Sequence, residues 1–177
     1  METLVSLPLV LPPVATGLIL LMVLSRRGAI GRLLESAGIE VVFTWKAVVL
    51  AMGVMGLPLL VRTARAGFEQ VNQRYEQVAS TLGAAPPRVF FTISLPLAWP
   101  SIVAGAVLAF ARALGEFGAT IVVAGSIPGA TRTLAVAIYS YTETGQDRQG
   151  AVLLLVSASI AFLALWYSNR LAERRAA

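Results

Sequence analysis

Long apolar runs separated by short polar stretches dominate the hydrophobic pattern of the chain. A membrane-spanning helix needs about 20 mostly apolar residues to cross a hydrocarbon core of roughly 30 Å. Four segments meet this requirement and carry at most two charged residues each; they are residues 4–24, 41–61, 95–124 and 150–168. The pattern predicts an all-α integral membrane protein, a helical bundle of about four transmembrane helices that forms a single domain over residues 1–177.

Prolines and small residues indicate that these helices pack against one another. Each proline removes a backbone donor and favours a kink, and in lipid the freed carbonyl groups need partners on neighbouring helices. Ala111, Gly115 and Ala119 recur every four residues, which predicts a small-residue face on the third span. This face serves either packing within the chain or an interface with another subunit. The prolines of the spans are Pro8, Pro12, Pro13, Pro58, Pro96 and Pro100.

The stretch between the second and third spans, residues 66–94, has a different periodicity. Apolar residues recur at helical spacing from Phe68 to Leu82, while glutamine, asparagine, glutamate and serine fill the opposite face. This pattern predicts an amphipathic helix, with Gly83 as its stop and Pro86 at the start of a new element. The polar face carries little Lys or Arg, so we favour docking on a protein over an interfacial helix on lipid.

Composition narrows the function classes. Hydrophobic residues make up 57% of the chain, charged residues 13%, and the mean hydropathy is +0.78. The net charge of +5 is scattered between apolar runs, which argues against nucleic acid as a partner. The chain has no Cys and no His, one Asp and one Lys, Lys46, without the glycine-rich sequence of a P-loop. We therefore expect no catalytic residues, no metal site and no enzymatic activity in this chain.

Residues 76–96 resemble the EAA loop in the permease subunits of ABC importers. The matching positions are Glu76, Ala79, Gly83, Phe91, Ile93, Leu95 and Pro96, and Val78 departs from the family pattern. In that family the loop is cytoplasmic, and its short helix inserts into a groove on the ATP-hydrolysing subunit. The resemblance implies a type I ABC importer permease fold, with a coupling helix in which Glu76, Ala79, Gly83 and Ala84 contact the ATPase. It also supplies an orientation, which the basic residues leave undetermined at seven on one side and six on the other.

Three further stretches resemble the permeases of molybdate importers, with sulfate and thiosulfate permeases as near relatives. They are residues 7–14, 108–120 and 127–133. The resemblance implies a multi-pass permease of the inner (cytoplasmic) membrane that moves molybdate, with ATP and Mg²⁺ bound by a partner subunit and no cofactor bound by this chain. The alternatives are the same role for tungstate, sulfate or thiosulfate, or a membrane scaffold without a transport role.

The same resemblance implies the partners of the chain. They are the lipid bilayer, a second copy of the chain, two ATP-binding subunits and an extracytoplasmic oxyanion-binding protein. Family members usually carry another span before the Leu-Pro-Leu segment. This chain is therefore expected to be a shortened member, or its start codon is assigned too far downstream.

Charged and hydroxyl side chains near the third span are candidates for the transport pathway. Ionisable residues within a span are costly, and Arg112 and Glu116 lie four residues apart, where they can pair. Arg112 offers either a positive site for a tetrahedral dianion, tuned by Glu116, or a neutralised pair that fixes the helix register, and we favour the pair. Thr131 and Arg132 follow the span and either contact a binding protein, guide an oxyanion, or face water.

Overall fold

The structure, a computed structural model, describes the backbone of residues 2–173 and the side chains of residues 4–168 and 170. Among these described residues the regular elements are α-helices, apart from one π-helical segment, π1 (Phe90–Ser94). In chain order they are α1 (Glu2–Val10), α2 (Pro13–Leu24), α3 (Ala29–Ser36), α4 (Trp45–Glu69), α5 (Gln73–Thr81), α6 (Pro86–Val89), α7 (Leu95–Leu114), α8 (Gly118–Ala124), α9 (Leu134–Glu143) and α10 (Asp147–Glu173).

Three helical stretches of the described chain are long and apolar enough to cross a membrane. They are α4, the continuous helix from Pro86 to Leu114, and α10 from Asp147 to Ser168. The pair α2 and α3, bent by 48°, makes a fourth when it is counted as one span. These helices confirm the predicted all-α bundle of about four transmembrane helices.

The first predicted span, residues 4–24, is wrong as a single helix. The helix stops at Val10 and restarts at Pro13, with Pro12 as the N-cap residue of α2. Two adjacent prolines provide no N–H groups for the helical ladder, whereas a proline at the first helical position is well tolerated. The chain therefore resumes as α2 instead of continuing α1.

Helices α4 and α7 form a close antiparallel pair along most of their length. Glycines occupy three contact points: a Cβ on Gly56 would lie 2.9 Å from the carbonyl oxygen of Ala109, and one on Gly105 would lie 2.9 Å from Cβ of Thr63. A Cβ on Gly67 would overlap the side chain of Ser101. Small residues let two helix backbones approach closely, and in lipid van der Waals packing of this kind drives helix association.

The third predicted span, residues 95–124, is also broken. Helix α7 ends at Leu114 with Gly115 as its cap residue, and α8 starts at Gly118. Ala111, Gly115 and Ala119 therefore do not form one continuous face, and the predicted small-residue stripe is wrong. Ala119 instead lies in α8, where a Cβ on Gly17 of α2 would come within 2.9 Å of its backbone.

A small apolar core joins α8 to the start of α4. Its buried members are Val41, Ala47, Ala51, Met55, Ala119, Val123 and Ala124. The loop before α4 is tied to the same core, because the backbone N–H of Phe43 donates to the carbonyl oxygen of Val123 at 3.1 Å. Phe43 adopts a φ of 58°, which is unusual for a bulky residue, so this contact holds the loop in a strained conformation.

The other boundaries differ from the predicted spans at their ends. Thr44 caps α4, which begins at Trp45 instead of residue 41 and runs to Glu69. Helix α10 begins at Asp147, three residues before the predicted start of its span. The sequence pattern missed α9, whose first turn is capped by the Thr133 hydroxyl, which accepts from the N–H of Val136 at 3.3 Å.

The α4–α7 packing yields a matched pair of substitutions in a single helix. Gly56→Val should destabilise the protein by on the order of 1–3 kcal/mol, because the new side chain must displace the α7 backbone. Gly53→Val, one turn earlier, should cost much less, since no atom lies within 4 Å of a Cβ at Gly53. Thermal unfolding of both variants in the same detergent compares them. Equal losses at the two positions would contradict close helix contact at Gly56.

Candidate functional site

The predicted amphipathic helix is two helices. Phe68 lies in the last turn of α4, and α5 starts afresh at Gln73 after a bend at residues 70–72. Asn72 causes the restart, because its side-chain oxygen accepts from the N–H of Arg74 at 3.0 Å. The prediction of one helix from Phe68 to Leu82 is therefore wrong at its N-terminal part. The apolar spacing continued across a capping residue that starts a new helix.

Gly83 ends α5 as the sequence predicts. It has a φ of 81°, a left-handed conformation that favours glycine. Its N–H donates to the Ser80 carbonyl at 3.0 Å, and the N–H of Ala84 donates to the Ala79 carbonyl at 3.0 Å. These two bonds form a Schellman motif, which satisfies the last carbonyl groups of the helix. Ala79, Gly83 and Ala84 thus lie together at the C-terminal end of α5.

Helix α5 presents an apolar face that the rest of the chain leaves open. Tyr75, Val78 and Leu82 are 57%, 59% and 82% exposed. Ala79 joins them along a groove of about 760 Å³ between α5 and the start of the third span. The groove is lined on the other side by Thr92, Ile93, Pro96 and Leu97. An exposed apolar face at this end of a membrane bundle is suited to bind another protein. We call the face formed by Tyr75, Val78, Ala79 and Leu82 the α5 face.

Glu76 lies beside this face and points back into the chain. Its Oε1 accepts from the hydroxyl of Ser94 at 2.5 Å, and Ser94 is buried at the end of π1. Sequence reasoning did not identify Ser94. Ser94 ends a π-helical turn, a feature that is frequent at functional sites. The residue pattern does not show this turn, so only the structure identifies Ser94.

A stacked aromatic pair joins π1 to the end of α4. The rings of Phe68 and Phe90 are 5.9 Å apart between centroids and nearly parallel, and Phe90 contacts Phe91 edge to face at 5.1 Å. Offset aromatic pairs add to the stability that burial provides. The segment that follows α5 is therefore attached to both α4 and α7.

Arg112 and Glu116 form an ion pair at the break between α7 and α8. Arg112 Nη1 lies 2.9 Å from Glu116 Oε2, and the two side chains are 34% and 2% exposed. The other carboxylate oxygen, Oε1, accepts from the N–H of Ala119 at 2.9 Å. Glu116 thus caps the first turn of α8 and neutralises Arg112, which satisfies polar groups that the helix break would otherwise leave unpaired in lipid.

Thr131 and Arg132 lie in a loop between α8 and α9, apart from this pair. The Thr131 hydroxyl is buried and accepts from the N–H of Ile127 at 3.0 Å. Arg132 is exposed and donates from Nε to the Ser126 hydroxyl at 3.1 Å. Both residues line a shallow cavity of about 280 Å³ near the start of α4. Thr131 therefore stabilises the loop, and Arg132 retains donors toward the surface.

A second charged cluster, which the sequence did not indicate, lies before α4. Arg26 pairs with Glu40 at 2.5 Å and with Glu35 at 3.5 Å. The Glu40 hydrogen bond and the charges of Glu35 and Glu40 raise the pKa of Arg26 above its usual value. The two carboxylates neutralise Arg26 and join the loop after α2 to α3 and to the segment before α4.

Comparisons with known proteins relate the whole chain to transport permeases. A family described as binding-protein-dependent transport system inner membrane component matches residues 1–176. The molybdenum transport system permease protein ModB of Escherichia coli K12 is 49% identical over 98% of this chain and 76% of its own length. ModB of Haemophilus influenzae is 45% identical over 96% and 75%. A protein of Chlorokybus atmophyticus named "Probable sulfate transport system permease protein cysT" is 39% identical over 89% and 57%.

The Arg112–Glu116 pair predicts an unequal effect of two neutral substitutions. Arg112→Gln should destabilise the protein by on the order of 2 kcal/mol, because it leaves a buried carboxylate without its cation. Glu116→Gln should cost less, since the amide oxygen still accepts from Ala119 and Arg112 is partly exposed. The double variant should recover most of the loss caused by Arg112→Gln. Thermal unfolding in detergent measures all three variants, and an unchanged midpoint for Arg112→Gln would refute the structural role of the pair.

Proposed function

Because the chain belongs to the family of inner membrane components of binding-protein-dependent transport systems, we propose that it is the permease subunit of an ABC importer for molybdate. The observation that carries this function is 49% identity to a molybdenum transport permease over 98% of the chain. The helices α4, α7 and α10 agree with it, since they are long and apolar enough to cross a membrane, and the family is described as an inner membrane component.

ATP hydrolysis belongs to a partner subunit in this proposal. The sequence has no P-loop around its single lysine, Lys46, and its polar residues are few. ATP and Mg²⁺ would bind the partner, and an extracytoplasmic protein would deliver the oxyanion. Two ATPase subunits need two docking helices, so the assembly contains two copies of this chain.

The α5 face is the proposed contact with the ATPase. It is apolar, exposed and held by a capped helix between two spans, so its movement reaches both α4 and α7. Ala79 contributes to the face directly, and Gly83 and Ala84 fix its C-terminal end. In this proposal α5 lies on the cytoplasmic side and the loop before α4 lies on the opposite side.

The Arg112–Glu116 pair is proposed to fix the bend between α7 and α8, not to bind the anion. Glu116 already engages both Arg112 and the α8 backbone, so the positive charge near the pathway is largely neutralised. Arg132 is the more available cation, because it is exposed in the loop after α8 and can meet an oxyanion or the binding protein.

Ion competition tests the proposed substrate. Uptake of radiolabelled molybdate into proteoliposomes that contain this chain, its ATPase and its binding protein should be inhibited by tungstate, which has the same charge and similar size. A tenfold excess of sulfate should leave most of the uptake intact. Strong inhibition by sulfate and none by tungstate would reassign the substrate to sulfate, the ion in the name of one of the relatives.

Charge substitutions on two neighbouring residues, the last residue of α5 and its C-cap residue, test the docking face. Leu82→Glu should abolish ATPase binding and reduce uptake at least tenfold, because it places a carboxylate in an apolar contact. Thr81→Glu adds the same charge one residue earlier, outside the α5 face, and should retain binding. Co-purification of the ATPase with each variant gives the result. If Leu82→Glu retains the ATPase, the α5 face is not the docking surface.

A further inference from the structure

We propose that the hydrogen bond between Glu76 and Ser94 is the link that transmits movement of α5 to the third span. Both are positioning residues in this proposal, and Glu76 acts through its hydrogen bond with Ser94. The inference rests on the proposed function, because it assigns how the docking helix is attached to the transport pathway.

Packing alone holds α5 weakly. None of its residues is buried, and the open groove separates the α5 face from Ile93 and Pro96. A helix that is pushed or pulled by a partner needs an attachment that resists displacement. Close-packed side chains provide this between α4 and α7, but α5 has no such core contact.

The geometry of the bond itself supports the link. Glu76 Oε1 and the Ser94 hydroxyl are 2.5 Å apart, within the range of short hydrogen bonds to carboxylates. The bond crosses from α5 to π1, over 18 residues of sequence. Ser94 is only 6% exposed, so water competes poorly for its hydroxyl.

The position of Ser94 in the chain also supports the link. It is the last residue of π1, and Leu95 begins α7 directly after it. The wider π turn is held by a bond from the Leu95 N–H to the Phe90 carbonyl. A displacement of Glu76 therefore acts on the residue directly before α7, the long helix that leads to the break at Gly115.

Conservative and non-conservative variants separate the effect of the Glu76 charge from that of its hydrogen bond. Glu76→Gln keeps an oxygen that accepts from Ser94, whereas Glu76→Ala and Ser94→Ala remove the bond from either side. Ser94→Thr keeps the hydroxyl. Ser80→Ala is the matched control, because it removes a hydroxyl on α5 that bonds only to the backbone of its own helix, the Glu76 carbonyl.

The first measurement is the number of molybdate ions imported per ATP hydrolysed by the complete complex in proteoliposomes. Ser94→Ala and Glu76→Ala should each lower this ratio on the order of fivefold, and the double variant should be no worse than either. Glu76→Gln, Ser94→Thr and Ser80→Ala should stay near the unmodified ratio. A merely structural role would lower the amount of folded complex and leave the ratio unchanged.

The second measurement does not depend on transport. The chain has no cysteine, so a spin label on Gln77→Cys is the only one on this subunit. Ser94→Ala should increase the mobility of this label on the exposed side of α5, and Ser80→Ala should not. Absence of ATP-dependent uptake by the unmodified complex would count against the proposed function, while the label would still test the link.

Three results would overturn the link. They are an unchanged ratio and label mobility in Ser94→Ala, additive losses in the double variant, or a loss in Glu76→Gln as large as in Glu76→Ala. The last result would show that the charge of Glu76 matters, as expected for direct contact with a cationic group of the ATPase.

Discussion

Helices α4 and α7 approach each other through glycines, and this close contact fixes the positions of most other elements. Gly56, Gly67 and Gly105 leave no room for a side chain between the two backbones. The contact extends from the α5 end of the bundle to the middle of the spans. Because lipid offers no hydrophobic drive for helix association, such packing is what keeps the spans in one register. Residues 70–94 connect the two helices at one end, so any force on α5 is applied to a preassembled pair.

The opposite end of α7 is shaped by a different constraint. A helix that stops inside a membrane leaves unpaired backbone groups, and these are costly in lipid. The Glu116 carboxylate accepts from one of them, the N–H of Ala119, and forms an ion pair with Arg112 one turn earlier. The break permits α8 to turn into the core beside α2 and the start of α4. The charges of the third span thus account for the break between α7 and α8.

The sequence predicts what depends on local pattern and composition. Apolar runs identify the spans, Gly83 identifies the end of α5, and the four-residue spacing identifies the Arg112–Glu116 pair. Breaks within apolar runs escape this reasoning, because Pro12 and the segment around Gly115 interrupt the helix without interrupting hydrophobicity. The Ser94 contact escapes it as well, since it joins residues far apart in sequence through a π turn. The α5 face could be read from spacing, but its exposure depends on how α5 bends away after Asn72.

We propose that this chain carries molybdate only when a partner subunit hydrolyses ATP. Accumulation of radiolabelled molybdate in proteoliposomes, with ATP or a non-hydrolysable analogue supplied on the α5 side, tests it most directly. Molybdate should accumulate above the external concentration with ATP and should not accumulate with the analogue. Equal entry under both conditions would contradict it and indicate a passive channel.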